Sequence, residues 1–93
     1  MKFSTRSTYG LRSMTILARQ KKRENIPLSQ IAKSEKISQG YLEKIFSFLK
    51  KAELVKAKKG ISGGYKLARP AGSISIFEII EALEGEKAPF HCF

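Results

Sequence analysis

Apolar positions in this chain follow a helical period over most of its length and alternate only in one short stretch. From about Thr5 to Lys22, Leu11, Met14, Leu17 and Ala18 recur at helical spacing, and Ser4 or Thr5 can cap the free N–H groups at the start. "ENIP" ends that helix, because Pro27 forces Ile26 away from helical angles. A short helix follows in "LSQIAKSEK", with Ile31 and Ala32 inward. "ISQG" reads as a turn, and Ser38 is placed to cap a longer helix over 39–52. Tyr41, Leu42, Ile45, Phe46, Phe48 and Leu49 form its broad apolar stripe. Gln39, Gly40, Glu43, Lys44, Ser47, Lys50 and Lys51 occupy its other face.

The period then changes. "LVKAK" and "YKLA" are short β-compatible segments on either side of a glycine-rich turn, Gly60 to Gly64, and read as a hairpin that Pro70 and Gly72 end. "SISIFEIIEALEG" returns to helix. Ser75 and Glu78 make a capping box, Ile76, Ile79, Ile80 and Leu83 face the core, and Gly85 suits the C-cap. Helix, short helix, turn, helix, two-stranded hairpin, helix is the order of a winged helix-turn-helix. The expected fold is therefore mainly α with a small β-hairpin, one domain over residues 1–93.

Composition narrows the class. The apolar fraction of 42% is ordinary for a soluble protein, and no apolar run approaches the roughly 18–20 residues of a membrane span. The N-terminus lacks the apolar core and small-residue cleavage site of a signal peptide. A single cysteine, Cys92, cannot form an internal disulfide, which points to the cytoplasm.

Charge changes the picture most. Eighteen Lys and Arg face eight acids, all Glu, for a net charge of +10. That excess suits a polyanionic partner. Its distribution matters more than its total. Residues 1–23 hold seven bases and no acid, whereas Glu78, Glu81, Glu84 and Glu86 crowd into nine residues near the C-terminus. Such polarity favours a binding face. The basic segments are interrupted by glycine and core residues, which disfavours an amphipathic membrane-surface helix.

In this fold the second helix of the pair, about 39–52, enters the DNA major groove, and the wing, about 56–66, lies on the backbone or in the minor groove. The recognition helix needs small or polar side chains at its N-terminal end. "SQGYLEK" supplies Ser38, Gln39, Gly40, Glu43 and Lys44. Gln pairs with adenine, Glu accepts from the cytosine amino group, and Lys reaches guanine or phosphate. Ser47 and Lys51 continue the same polar face as further DNA-contact candidates. Glu43 would reject bases that offer no donor; alternatively it is an ordinary exposed Glu paired with Lys44 or Lys50. The wing offers Lys56, Lys58, Lys59 and Lys66 around Gly60, Gly63 and Gly64. Those lysines either neutralise phosphates or keep the hairpin edges from pairing with other chains.

"STRSTYGLRSMTILA", "PLSQIAKSEKISQGYLEKIFSFLKKAELVKAKKGISGGYKLARPAGSISIFEIIEALEG" and the closing cysteine resemble the bacterial winged-helix regulators typified by IscR, NsrR and CymR, the Rrf family. The likeness runs from residue 2 to residue 92. It implies a homodimeric transcriptional regulator, often a repressor, on a palindromic promoter site in double-stranded DNA. By resemblance, Gly40, Glu43 and Lys44 match base-reading positions. Lys59 stands where many relatives carry a wing arginine that enters the minor groove. Arg12 and Tyr41 match positions of phosphate contact or packing.

Two departures qualify that likeness. Relatives that sense through an iron–sulfur cluster carry three cysteines in a loop after the last of these helices, and Cys92 falls on the first. The other two, and the long helix through which the family dimerises, lie beyond this sequence. Thr8 also stands where the nitric-oxide-sensing branch has an aspartate. The expectation is a DNA-binding fragment of a longer regulator, the alternative being a truncated protein that lost sensing, with any cluster confined to a full-length form and none in these 93 residues.

The rival readings are weaker. His91 beside Cys92 suggests a thiol nucleophile, but neighbours in an extended tail point apart and nothing orients the imidazole. The chain has no Asp and no phosphate-binding loop, so no enzyme is expected. A winged-helix module that binds RNA or a protein partner is the alternative to DNA.

Overall fold

The computed structural model describes residues 4–20, 24–60 and 63–84. Its elements are α1 (Thr5–Ala18), α2 (Leu28–Glu35), α3 (Gln39–Lys51), β1 (Val55–Lys58), β2 (Gly64–Leu67), a 3-10 turn (Ala71–Ser73) and α4 (Ile76–Glu84). This is a winged helix-turn-helix: three helices, an antiparallel hairpin and a closing helix.

Local chemistry sets most of the helix ends. Ser4 caps α1 by accepting from the Ser7 N–H, and Ser38 caps α3 by accepting from the Tyr41 N–H at 3.1 Å. The expected capping box of α4 is formed: the Ser75 N–H donates to Glu78 Oε1 at 2.9 Å, and the Glu78 N–H to Ser75 Oγ at 3.0 Å. The first helix ends at Ala18, earlier than the expected Lys22. The turn between α2 and α3 places Lys36 in the left-handed region, φ 58°, a geometry that costs a non-glycine residue roughly 1–2 kcal/mol.

The core gathers Met14 and Leu17 of α1, Ile31 and Ala32 of α2, Leu42, Ile45, Phe46 and Leu49 of α3, Leu54, Val55 and Leu67 of the wing, and Ile79, Ile80 and Leu83 of α4. Two expectations need correction. Phe48 lies at the edge of the α3 stripe and stays exposed, with the Arg6 guanidinium 4.9 Å from its ring centre. Ile76 is 65% exposed, because the first turn of α4 borders an open apolar groove against Leu11, Met14 and Ile74 rather than entering the core. Gly85, expected as the C-cap, lies outside the described residues.

The contact between α1 and α4 depends on small residues. Ser7, Gly10 and Ser13 are buried on the face that α1 turns to its neighbours. A Cβ on Gly10 would fall 2.1 Å from Leu83 Cδ1, so α4 packs directly on the α1 backbone. At the end of that contact, Ser4 and Ser7 both donate their hydroxyls to Glu84 Oε2. These hydrogen bonds hold the Glu84 carboxyl below the usual range.

Candidate nucleic-acid interface

Besides its core side chains, the wing is tied to the segment before α2 by one backbone-paired residue pair. Ile26 and Tyr65 exchange backbone hydrogen bonds, 2.8 and 2.9 Å, and the Tyr65 ring packs against Phe46 of α3 at 4.7 Å. Gly64 makes this possible. Its φ is +140°, and a Cβ there would lie 2.3 Å from the Ile26 carbonyl oxygen. The hairpin register pairs Val55 with Leu67, Lys56 with Lys66, Ala57 with Tyr65 and Lys58 with Gly64. Paired residues share a face, so Val55, Leu67 and Tyr65 attach the wing while Lys56, Lys66 and Lys58 share the opposite side. Like charges directly opposite each other destabilise a hairpin. A polyanion on that side would relieve the repulsion.

Wing, α2 and α3 enclose an open groove of about 320 Å³, lined by Pro27, Leu28 and Ser29, by Gln39, and by Lys58, Gly60, Gly63, Gly64 and Tyr65. Pro27 caps α2 without a side-chain hydrogen bond, so the first N–H groups of that helix have no side-chain acceptor. The Gly63 N–H closes the wing turn by donating to the Gly60 carbonyl at 3.0 Å. One concave surface thus combines a lysine, a helix N-terminus and the first residue of α3. Such a surface suits phosphate.

The expected site residues divide by position. Ser38, the N-cap, and Gln39, Gly40, Glu43 and Lys44 of the first turns of α3 are exposed, and Gln39 lines the groove. A Cβ on Gly40 would meet nothing within 4 Å, so the fold leaves this spot open. Lys58, Lys59 and Gly60 are exposed on the wing, with Gly63 and Gly64 half-buried beneath them. Ser47 is exposed, and its hydroxyl donates to the Lys44 carbonyl at 2.7 Å. Lys51 is in the last turn of α3, about 18 Å from Gln39 by helical rise, away from the groove. Tyr41 is half-buried, edge-on to Tyr9 at 6.3 Å. Arg12 lies on α1, ion-paired with Glu35 at 2.5 Å. Sequence reasoning passed over Leu28, Ser29 and Glu35; the signal for the first two was their place just after Pro27, at the start of a helix-turn-helix.

On the other side of the wing, Arg69 pairs with Glu78 and donates to the Ser73 carbonyl at 3.1 Å, tying the end of β2 to the start of α4. The Ser75 N–H, and then Arg69, hold the Glu78 carboxyl below its ordinary range.

Cys92 and His91 lie outside the described residues. Among the described residues no group of three His, Cys, Asp or Glu side chains could hold a metal ion. An iron–sulfur cluster takes about four ligands, chiefly thiolates, and one cysteine in the whole chain does not supply that set. Among the described residues no helix is long and apolar enough to cross a membrane.

The family described as "Rrf2: Iron-dependent Transcriptional regulator" matches residues 3–93. The HTH-type transcriptional regulator IscR of Cereibacter sphaeroides is 45% identical over 86 residues, 90% of this chain and 56% of the relative. Among solved structures, CymR, the global cysteine regulator of B. subtilis, superposes with a TM-score of 0.87 at 39% identity, covering 91% of this chain and 66% of that one. T. potens IscR gives a TM-score of 0.83 at 40% identity, covering 92% and 63%. The chain thus spans little more than half the length of the C. sphaeroides relative.

Proposed function

The chain belongs to the Rrf2 family of transcriptional regulators, and from that premise we propose that it binds double-stranded DNA to regulate transcription, reading bases with the start of α3 and phosphates with the wing. The observation that carries this reading is the groove in which Gln39, the N-terminus of α2 and Lys58 meet. With α3 in the major groove, Gln39 and Lys44 face base edges, Glu43 selects for cytosine amino groups, and Gly40 lets the backbone approach. Lys58 and Lys59 neutralise phosphates, and Lys59, at the tip, reaches the minor groove, where a narrow width strengthens its attraction.

Action as a repressor, a palindromic site and a homodimer extend the same proposal. They rest on the family and on the part of the relatives' length that this chain does not span. A cluster in a longer form would use Cys92 as one ligand among several. None of the DNA contacts assigned to α3 and the wing involves it.

Selection of duplexes from a randomised pool, followed by titration of two variants, tests the assignment. Lys59→Ala should weaken every duplex and flatten the salt dependence by about one unit. Glu43→Ala should instead admit sites that the wild type rejects. If Glu43→Ala binds selected and variant sites in the wild-type ratio, its role in selectivity is wrong.

A further inference from the structure

The Arg12–Glu35 pair lies outside the wing groove, and the DNA-reading residues do not account for it. Glu35 is the last residue of α2, where the helix dipole disfavours a carboxylate. Its side chain is only 9% exposed, so it has lost much of its hydration as well. Arg12 compensates it from α1, with Nε 2.5 Å from Glu35 Oε1, while the arginine side chain stays 60% exposed. The guanidinium carbon is 6.0 Å from the centre of the Tyr9 ring, and Tyr9 packs edge-on against Tyr41 in the first turn of α3. The contact is one of charge, since Glu35 Oε1 has no hydrogen-bond partner. It draws the Nε side of Arg12 toward α2 beside the start of α3, and among the described residues no hydrogen bond engages the terminal amino groups.

We propose that Glu35 is a positioning residue for Arg12: its charge restrains the guanidinium on the Nε side, so that the terminal amino groups meet a DNA phosphate with less freedom left to lose. This rests on the DNA-binding reading above. An unrestrained arginine loses rotamer freedom when it grips a phosphate, whereas one already held loses less. Glu35 therefore aids the binding of a polyanion although it carries the same charge sign. The competing role is purely structural, with Arg12 serving only to neutralise a nearly buried carboxylate.

Fluorescence anisotropy of the full chain with a fixed-sequence duplex, across a salt series, separates the two. Wild-type protein should bind with a steep salt dependence; no binding at all would overturn the DNA-binding reading itself. Given binding, Arg12→Ala should weaken it and flatten the salt slope by about one unit. Glu35→Gln removes a negative charge yet should weaken binding about two- to tenfold, the size of ordering one long side chain, with the slope retained. Added to Arg12→Ala, Glu35→Gln should have no further effect. Arg12→Lys, which keeps the charge and protects against a failure of Arg12→Ala to fold, should retain the slope and lose affinity. An unchanged slope in Arg12→Ala, tighter binding by Glu35→Gln, or additive losses in the double variant would overturn the proposal.

Discussion

Gly40 separates what folding needs from what binding needs. A methyl group there meets nothing within 4 Å in the protein, and alanine is favoured over glycine inside a helix by about 1 kcal/mol. Gly40→Ala should therefore leave the melting temperature unchanged or raise it, while duplex affinity falls because the helix can no longer sit as close to the bases. Thermal unfolding and a duplex titration on the same sample check both halves. Gly10 behaves in the opposite way. Its Cβ would run into Leu83, itself buried, so Gly10→Ala should destabilise the protein by about 1–3 kcal/mol of overpacking, offset in part by the gain in helix propensity. Urea unfolding would measure that loss.

At the scale of elements, hydrogen bonds from the start of α1 to the end of α4 carry a pH signature. Ser4 and Ser7 lower the Glu84 carboxyl below its unfolded value. Its contribution to stability is therefore complete above the ordinary glutamate range and is lost as pH falls through the lowered folded value. Glu84→Gln should melt below wild type at neutral pH, and the gap should close as pH drops below about 4. A gap independent of pH would show that the charge plays no part.

The legibility of these elements in the sequence follows from the range of the forces involved. Ser38 and the Ser75–Glu78 box could be read directly because a cap is satisfied within four residues of chain. The α3 core positions Leu42, Ile45, Phe46 and Leu49 could be read from their period. Phe48 and Ile76 could not, because periodicity says that a side chain is apolar and not which neighbour reaches it. Ser7 and Gly10 meet Glu84 and Leu83 of α4, and nothing local to α1 announces that contact. The Ile26–Tyr65 bridge spans one residue pair and leaves no alternating pattern to detect. The α3 and wing residues were legible as a polar face and a basic turn, whereas the contribution of α2 to their groove required the fold.

Across the whole molecule, charge is sorted by use. Two of the glutamates crowded near the C-terminus are engaged in holding the fold, Glu78 with Arg69 and Ser75, and Glu84 with Ser4 and Ser7. Lys44 of α3 and Lys58 and Lys59 of the wing stand exposed, and Lys58 lines the groove. An excess of +10 arranged in this way should make association fast and strongly dependent on salt. Titration of the chain against duplex DNA and against structured RNA, each over a salt series, examines the DNA-binding surface as a unit. The expected result is tighter binding to the duplex, with log affinity falling linearly as log salt rises and a slope of about −0.9 for each phosphate neutralised. A preference for RNA, or an affinity for DNA that does not change with salt, would contradict it.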